Sequence, residues 1–153
     1  MTERTLVLLK PDAVQRLLVG PLLGRFEARG LKIVGLKLVA VSRELAERHY
    51  AVHRERPFFT GLVDFIISAP LVAAVLEGPN AIAVVRAMNG ATRPHEAEPG
   101  SIRGDFALET AQNLVHASDG AETATAEIAL WFRPEELLAY GREIDRWVLA
   151  PEE

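Results

Sequence analysis

The chain of 153 residues contains no cysteine. That absence excludes disulfides, zinc–thiolate sites and a thiol nucleophile, and it fits a reducing cytoplasm. Long apolar runs are missing too. The opening stretch MTERTLVLLKPD is broken by Lys10 and Pro11 before it reaches the length of a signal-peptide core, and no later stretch is long enough to cross a membrane. There is no GxxxxGK[ST], no GxGxxG after a strand and no HEXXH, and the spacing of His49, His53, His95 and His116 does not suggest a metal site. If phosphates are bound, side chains must take the place of a P-loop backbone. Basic charge is not in surplus either: 17 Lys and Arg stand against 21 Asp and Glu, a net charge of −4. A general nucleic-acid coat is therefore disfavoured, whereas a local cluster of cations for one polyanion is not.

What is present suits a single soluble domain over residues 1–153. Apolar residues make up 49% and charged residues 25%, and a chain of this length buries roughly 68–70% of its unfolded surface without any staple. RTLVLL (4–9) reads as a buried strand stopped by Pro11. PLLGRFEARG (21–30) puts Leu22, Leu23 and Phe26 on one helical face, with Gly30 as its C-cap. LKIVGLKLVAV (31–41) is a second strand. Lys32 and Lys37 lie an odd number apart, so both face solvent only if the strand bulges, and Gly35 is the place for it. Ser42 can cap a helix to about Arg54, and another helix follows Pro57. PLVAAVL (70–76) reads as a central strand, then PNAIAVVRAMNG as a helix opened by Pro79 and closed by Gly90. Residues 89–105 show no sustained period and read as a long loop, functional or mobile. NLVHAS is the last strand, and a helix from about Ala121 to Phe132 follows it, with Asp119 and Glu122 spaced as a capping pair. Strands interleaved with helices predict an α+β sandwich, helices over one sheet.

Several residues break their local rules. Lys10 ends an apolar strand, either as a solvated strand end or as a cation on the sheet's rim. Tyr50 and His53 share a face of the predicted helix with Ala46, which suits packing as well as a site. Phe58 and Phe59 must diverge, so one ring can stay exposed as a base-stacking platform. Glu127 lies within the apolar stripe marked by Ala124, Ile128 and Trp131. It either snorkels to water or pairs with His116 or Ser118 in the preceding turn. Arg86, Thr92 and Arg103 bracket the long loop. Arg86 can cap a helix and Arg103 can pair with Asp105, or the two guanidiniums can close on a polyphosphate.

The same residues carry a resemblance. NLVHASD (113–119) is similar to the NxxHGSD signature of nucleoside diphosphate kinases. KPDAVQR (10–16), HYAVHRERPFF (49–59), GPNAIAVVRAMNGAT (78–92) and PGSIRGDF (99–106) resemble further family motifs in the same order, so the likeness spans about residues 4–138. The resemblance implies a ferredoxin-like βαββαβ fold with helices over a four-stranded antiparallel sheet. It implies ping-pong transfer of the γ-phosphoryl of a nucleoside triphosphate, chiefly ATP, through a phosphohistidine at His116 to a nucleoside diphosphate. By the same resemblance Lys10 contacts phosphate and ribose, Asn113 the 3′-hydroxyl, and Arg86, Thr92 and Arg103 the phosphates. Phe58 stacks on the base, Tyr50 and His53 line the phosphate site, and Glu127 with Ser118 supports the histidine. Magnesium is the implied cofactor, held mainly by the nucleotide's phosphates rather than by protein ligands. A cytoplasmic homo-oligomer follows, a hexamer ahead of a tetramer, with residues 89–105 near a threefold contact and no membrane or nucleic-acid partner. The tail ELLAYGREIDRWVLAPEE either reaches a neighbouring subunit through Trp147 or frays. Ala13, Ala117 and Gly120 depart from the family's usual residues. Of these Ala117, beside the proposed nucleophile, is the one whose methyl bears on the site, and it is expected to be tolerated.

Overall fold

The run of apolar residues at 6–9 forms an inner strand, buried as its sequence predicts. In the computed structural model, which describes residues 2–151, β1 (Thr2–Leu9) is covered on both faces, with Leu6, Val7, Leu8 and Leu9 fully buried. It is followed by α1 (Pro11–Gln15) and α2 (Val19–Ala28), then β2 (Lys32–Val39), α3 (Arg43–His49) and α4 (Phe59–Ile66). β3 (Leu71–Pro79), α5 (Ala81–Asn89), α6 (Ile102–Phe106), β4 (Val115–Ala117), α7 (Ala121–Trp131) and α8 (Asp145–Val148) complete the order. The strands form one antiparallel sheet in the order β2-β3-β1-β4. This is the ferredoxin-like α+β arrangement, and PLVAAVL is indeed an inner strand.

Alternation along β1 divides the core in two. Val7 and Leu9 pack with Val72, Ala74, Leu22, Phe26 and Val85, while Leu6 and Leu8 pack with Ala73, Val75, Val63, Ile66 and Trp131. Helices therefore cover both faces of the sheet. The parity of Lys32 and Lys37 is resolved by an irregularity between Ile33 and Gly35, where Val34 is skipped in the register with β3. Lys32 then approaches Glu77 and Asp145, and Lys37 approaches Glu136.

Four local expectations are corrected. Pro79 ends β3, and α5 starts after Asn80, whose φ of 54° turns the chain. Residues 89–105 are not one irregular loop: a 3-10 turn (Pro94–Glu96) and the start of α6 lie within them, elements too short to show a period. Ser42 caps α3 through the N–H of Leu45, but α3 stops at His49, so Tyr50 and His53 are not on one helix. Gly120, not Asp119, is the N-cap of α7, without a side-chain bond.

The tail neither frays nor stands free over its described length. Leu138 N–H donates to the carbonyl of the skipped Val34 at 2.8 Å, the Tyr140 hydroxyl donates to Ile33, and Arg142 donates to the carbonyls of Gly30 and Leu31. Trp147 remains 79% exposed. Residues 152 and 153, the end of that tail, lie outside the described residues.

Candidate active site

Register decides where His116 points. It stands opposite Leu8 in the β1–β4 pair, so its side chain shares the face of Leu6 and Leu8, the side covered by α3, α4 and α7. Its neighbours Val115 and Ala117 face the other core. A cavity of about 860 Å³ opens here, between the end of β1, the turn joining α3 to α4, the end of α5 and the segment leading into β4. Of the site residues that the family resemblance implies, all except Ser118 line it.

Glu127 joins the floor of this cavity to α7. Its carboxylate is 2.8 Å from His116 Nε2 and accepts the Ser118 hydroxyl at 2.7 Å, one oxygen for each. Its side chain is only 13% exposed, so the snorkelling alternative fails. Burial alone would raise the Glu127 carboxyl, but the hydrogen bond and charge of His116, with the Ser118 bond and His49, hold it below its ordinary value. Ser118 is fully buried and also accepts the N–H of Leu6, tying the end of β4 to β1. With Nε2 engaged by the carboxylate, a neutral His116 ring carries its lone pair on Nδ1.

Sequence reasoning missed His49. Its side chain is 1% exposed, its ring meets that of His116 edge-on at 4.6 Å, and its Nδ1 accepts the indole N–H of Trp131 at 3.1 Å. Burial above all, with the nearby His116, pushes its pKa down to about 3 against the pull of Glu127. His49, His116 and Glu127 thus gather within 4.8 Å, a grouping that the spacing of the histidines did not suggest. The facing nitrogens are already taken up by Trp131 and Glu127, so a hydrogen-bonded network accounts for the cluster. The available signal was its position three residues after buried Ala46 on α3.

Cations line the same cavity. Lys10 Nζ donates to Asn113 Oδ1 at 2.6 Å and lies 5.7 Å over the Phe65 ring. Burial lowers its pKa to about 8, with Arg103 acting in the same direction and Asp12 against it. Asn113 in turn donates to the carbonyl of Thr92 at 3.0 Å. Arg103 does not pair with Asp105, which is bound by Arg25 at 2.6 Å. Instead Arg103 donates to the carbonyls of Asn113, Gly90 and Val115, fastening the start of β4. Burial, with Arg86 nearby, brings its pKa down to about 10. Tyr50 is pushed up to about 12 by burial and by the charges of Asp12 and Glu127. Phe58 is 51% exposed with its ring 5.3 Å from that of His53, whereas Phe59 packs into the core. Buried Asn89 also lines the cavity, unforeseen, with Oδ1 unpartnered among the described residues.

Fold and site together define an α+β protein whose cleft is lined by a histidine–carboxylate pair and by cations. The sequence profile described as nucleoside diphosphate kinase matches residues 3–137. A nucleoside diphosphate kinase of Picosynechococcus sp. is 61% identical over 146 residues, covering 95% of this chain and 98% of the relative. One from Pyrococcus horikoshii is 56% identical over 147 residues, covering 94% of each. Among solved structures, a halophilic nucleoside diphosphate kinase from Halobacterium salinarum in complex with CDP matches with a TM-score of 0.94 and 46% identity, covering 98% of this chain and all of that one. The chain belongs to the nucleoside diphosphate kinase family.

Proposed function

We propose that this chain moves the γ-phosphoryl group of a nucleoside triphosphate, chiefly ATP, onto His116 and from there to a nucleoside diphosphate. One observation carries the reading: Glu127 holds Nε2 of a histidine that lines a cleft of nucleotide size. The Nδ1 lone pair attacks the γ-phosphorus, and the bond from that phosphorus to the β–γ bridging oxygen breaks as the diphosphate leaves. In the second half-reaction a terminal oxygen of the incoming diphosphate attacks the phosphohistidine and regenerates the ring. The Glu127 carboxylate balances the positive charge on the ring as the new bond forms. Tyr50, Lys10, Arg86, Thr92 and Arg103 gather around the phosphates, and His53 lines the same cleft. Asn113, already bonded to Lys10, would bind a ribose hydroxyl, and Phe58 offers a face that any base can stack on.

Magnesium fits as a phosphate-borne ion. It favours oxygen donors and keeps several waters, and Asp119 is a carboxylate on the cleft with no hydrogen-bond partner among the described residues, whereas both Glu127 oxygens are engaged. When bound it would supply neutralising charge for the transferring group. The reading extends to one domain over 1–153, as the match over residues 3–137 supports, and to a cytoplasmic setting. Among the described residues no helix is long and apolar enough to cross a membrane. It extends also to a homo-oligomer, a hexamer ahead of a tetramer, for which exposed Leu36, Leu38 and Trp147 offer apolar surface to cover.

The test is transfer itself. Protein incubated with magnesium and γ-labelled ATP should take up acid-labile, alkali-stable label that moves to GDP, and His116→Ala should take up none. Label retained in the presence of GDP would instead point to a protein acceptor, and bound nucleotide without label would make the chain a silent relative.

A further inference from the structure

The most strained backbone beside the site is at Leu114, a fully buried leucine with φ of 74°. The N–H of Val115 donates back to the carbonyl of Asn113 at 2.9 Å, so residues 113–115 form a γ-turn, a conformation a branched residue adopts only when its surroundings impose it. The KPD corner of α1 imposes it from both sides. Lys10 N–H donates to the Leu114 carbonyl at 2.8 Å, and Asp12 Oδ2 accepts the Leu114 N–H at 2.9 Å. The turn sets the direction of Asn113, one residue before it, and of His116, two residues after it. Asp12 Oδ1 is buried and has no hydrogen-bond partner among the described residues.

Resting on the phosphotransfer reading above, we propose that Asp12 is a positioning residue with two separable roles. One oxygen closes the left-handed turn that aims Asn113 and His116, and the unpartnered oxygen supplies the buried counter-charge for the Lys10 ammonium until a nucleotide's phosphates replace it. The placement suits a standing charge rather than an ion pair, since Asp12 and Lys10 form no salt bridge within 4 Å. The charged groups acting on Lys10 are Asp12 from α1, which favours the ammonium form, and Arg103 from α6, which opposes it, while buried His49 from α3 stays neutral in this range. Asn113 and Phe65, its nearest partners, are neutral. Removing the Asp12 charge leaves burial and Arg103 unopposed.

Asp12→Asn separates the two roles, because its amide oxygen can still accept the Leu114 N–H. The Lys10 ammonium is followed by NMR of its ε-carbon across neutral and alkaline pH, with the resonance assigned by its loss in Lys10→Arg. In wild type the resonance should titrate near pH 8, and in Asp12→Asn the midpoint should fall by about one pH unit. The kcat/KM of phosphoryl transfer should lose its alkaline limb at correspondingly lower pH. In the Lys10→Arg background, whose guanidinium stays charged, adding Asp12→Asn should leave the profile where it was. Asp12→Ala should in addition lower kcat by about tenfold as the turn loosens. An Asp12→Asn titration that coincides with wild type overturns the proposal, even if Asp12→Ala fails to fold. Absence of transfer in wild type with Lys10 responding to Asp12 would overturn the phosphotransfer reading alone.

Discussion

Both oxygens of Glu127 are spoken for, one by His116 and one by Ser118, so the carboxylate can serve the histidine only through its charge and its fixed orientation. Glu127→Gln keeps the shape and removes the charge. The rate of phosphohistidine formation in a single turnover with ATP should fall by at least about tenfold, while the thermal midpoint stays close to that of wild type. An unchanged rate would mean that the pairing is structural. Glu127 was legible in the sequence because a carboxylate inside an apolar stripe needs a partner, and the partners lay a few residues upstream. His49 was not legible. What makes it matter is a bond to Trp131, 82 residues away, and an edge-on contact with His116 that only the packing of α3 against α7 creates. Arg103 misled for a local reason: residues two apart on a helix do not face each other, so within α6 it turns away from Asp105 towards three carbonyls.

Between α3 and α7, the His49–Trp131 bond is also a pH-dependent joint. The folded protein holds the imidazole neutral down to about pH 3, whereas an unfolded chain protonates it near its ordinary 6.5. Between those values the unfolded state binds the extra proton, so this group makes the fold less stable as pH falls through the window and has no effect above it. His49→Gln should therefore lose less of its urea midpoint than wild type between pH 7 and pH 4; an equal loss would show that the buried imidazole does not control this range. β4 answers the question about Ala117. That residue is paired with Val7 in a regular strand, has a negative φ and turns its methyl into the core away from His116. Ala117→Gly should change kcat by no more than about twofold and lower the thermal midpoint slightly, as glycine does within a strand; a large gain in kcat would mean the methyl does crowd the phosphoryl group. Longer elements showed themselves through period and parity, down to the irregularity between Lys32 and Lys37. The 3-10 turn at Pro94–Glu96 and the five-residue α6 did not, because fewer than two turns leave no period to read.

Over the whole molecule, a chain of net charge −4 gathers Lys10, Arg86 and Arg103 on one cleft, so the sign of the total hides the sign of the site. The sheet makes this possible. Its inner strands bury apolar side chains on both faces, and its β4 edge delivers a polar histidine beside three elements that come from distant parts of the sequence. Order along the chain was enough to predict an α+β sandwich, and the family resemblance supplied the ferredoxin-like topology; which helices would cover which face was not legible, since that depends on the register of β4 with β1. Phosphoryl transfer would fall to one nitrogen. Glu127 occupies Nε2 of His116, leaving Nδ1 to take the phosphoryl group. Phosphorus NMR of the protein phosphorylated by ATP, compared with the two phosphohistidine isomers as standards, tests this directly. The Nδ1 isomer on His116, lost on addition of GDP, is the predicted result; an Nε2 isomer, or phosphate on any other residue, would contradict it.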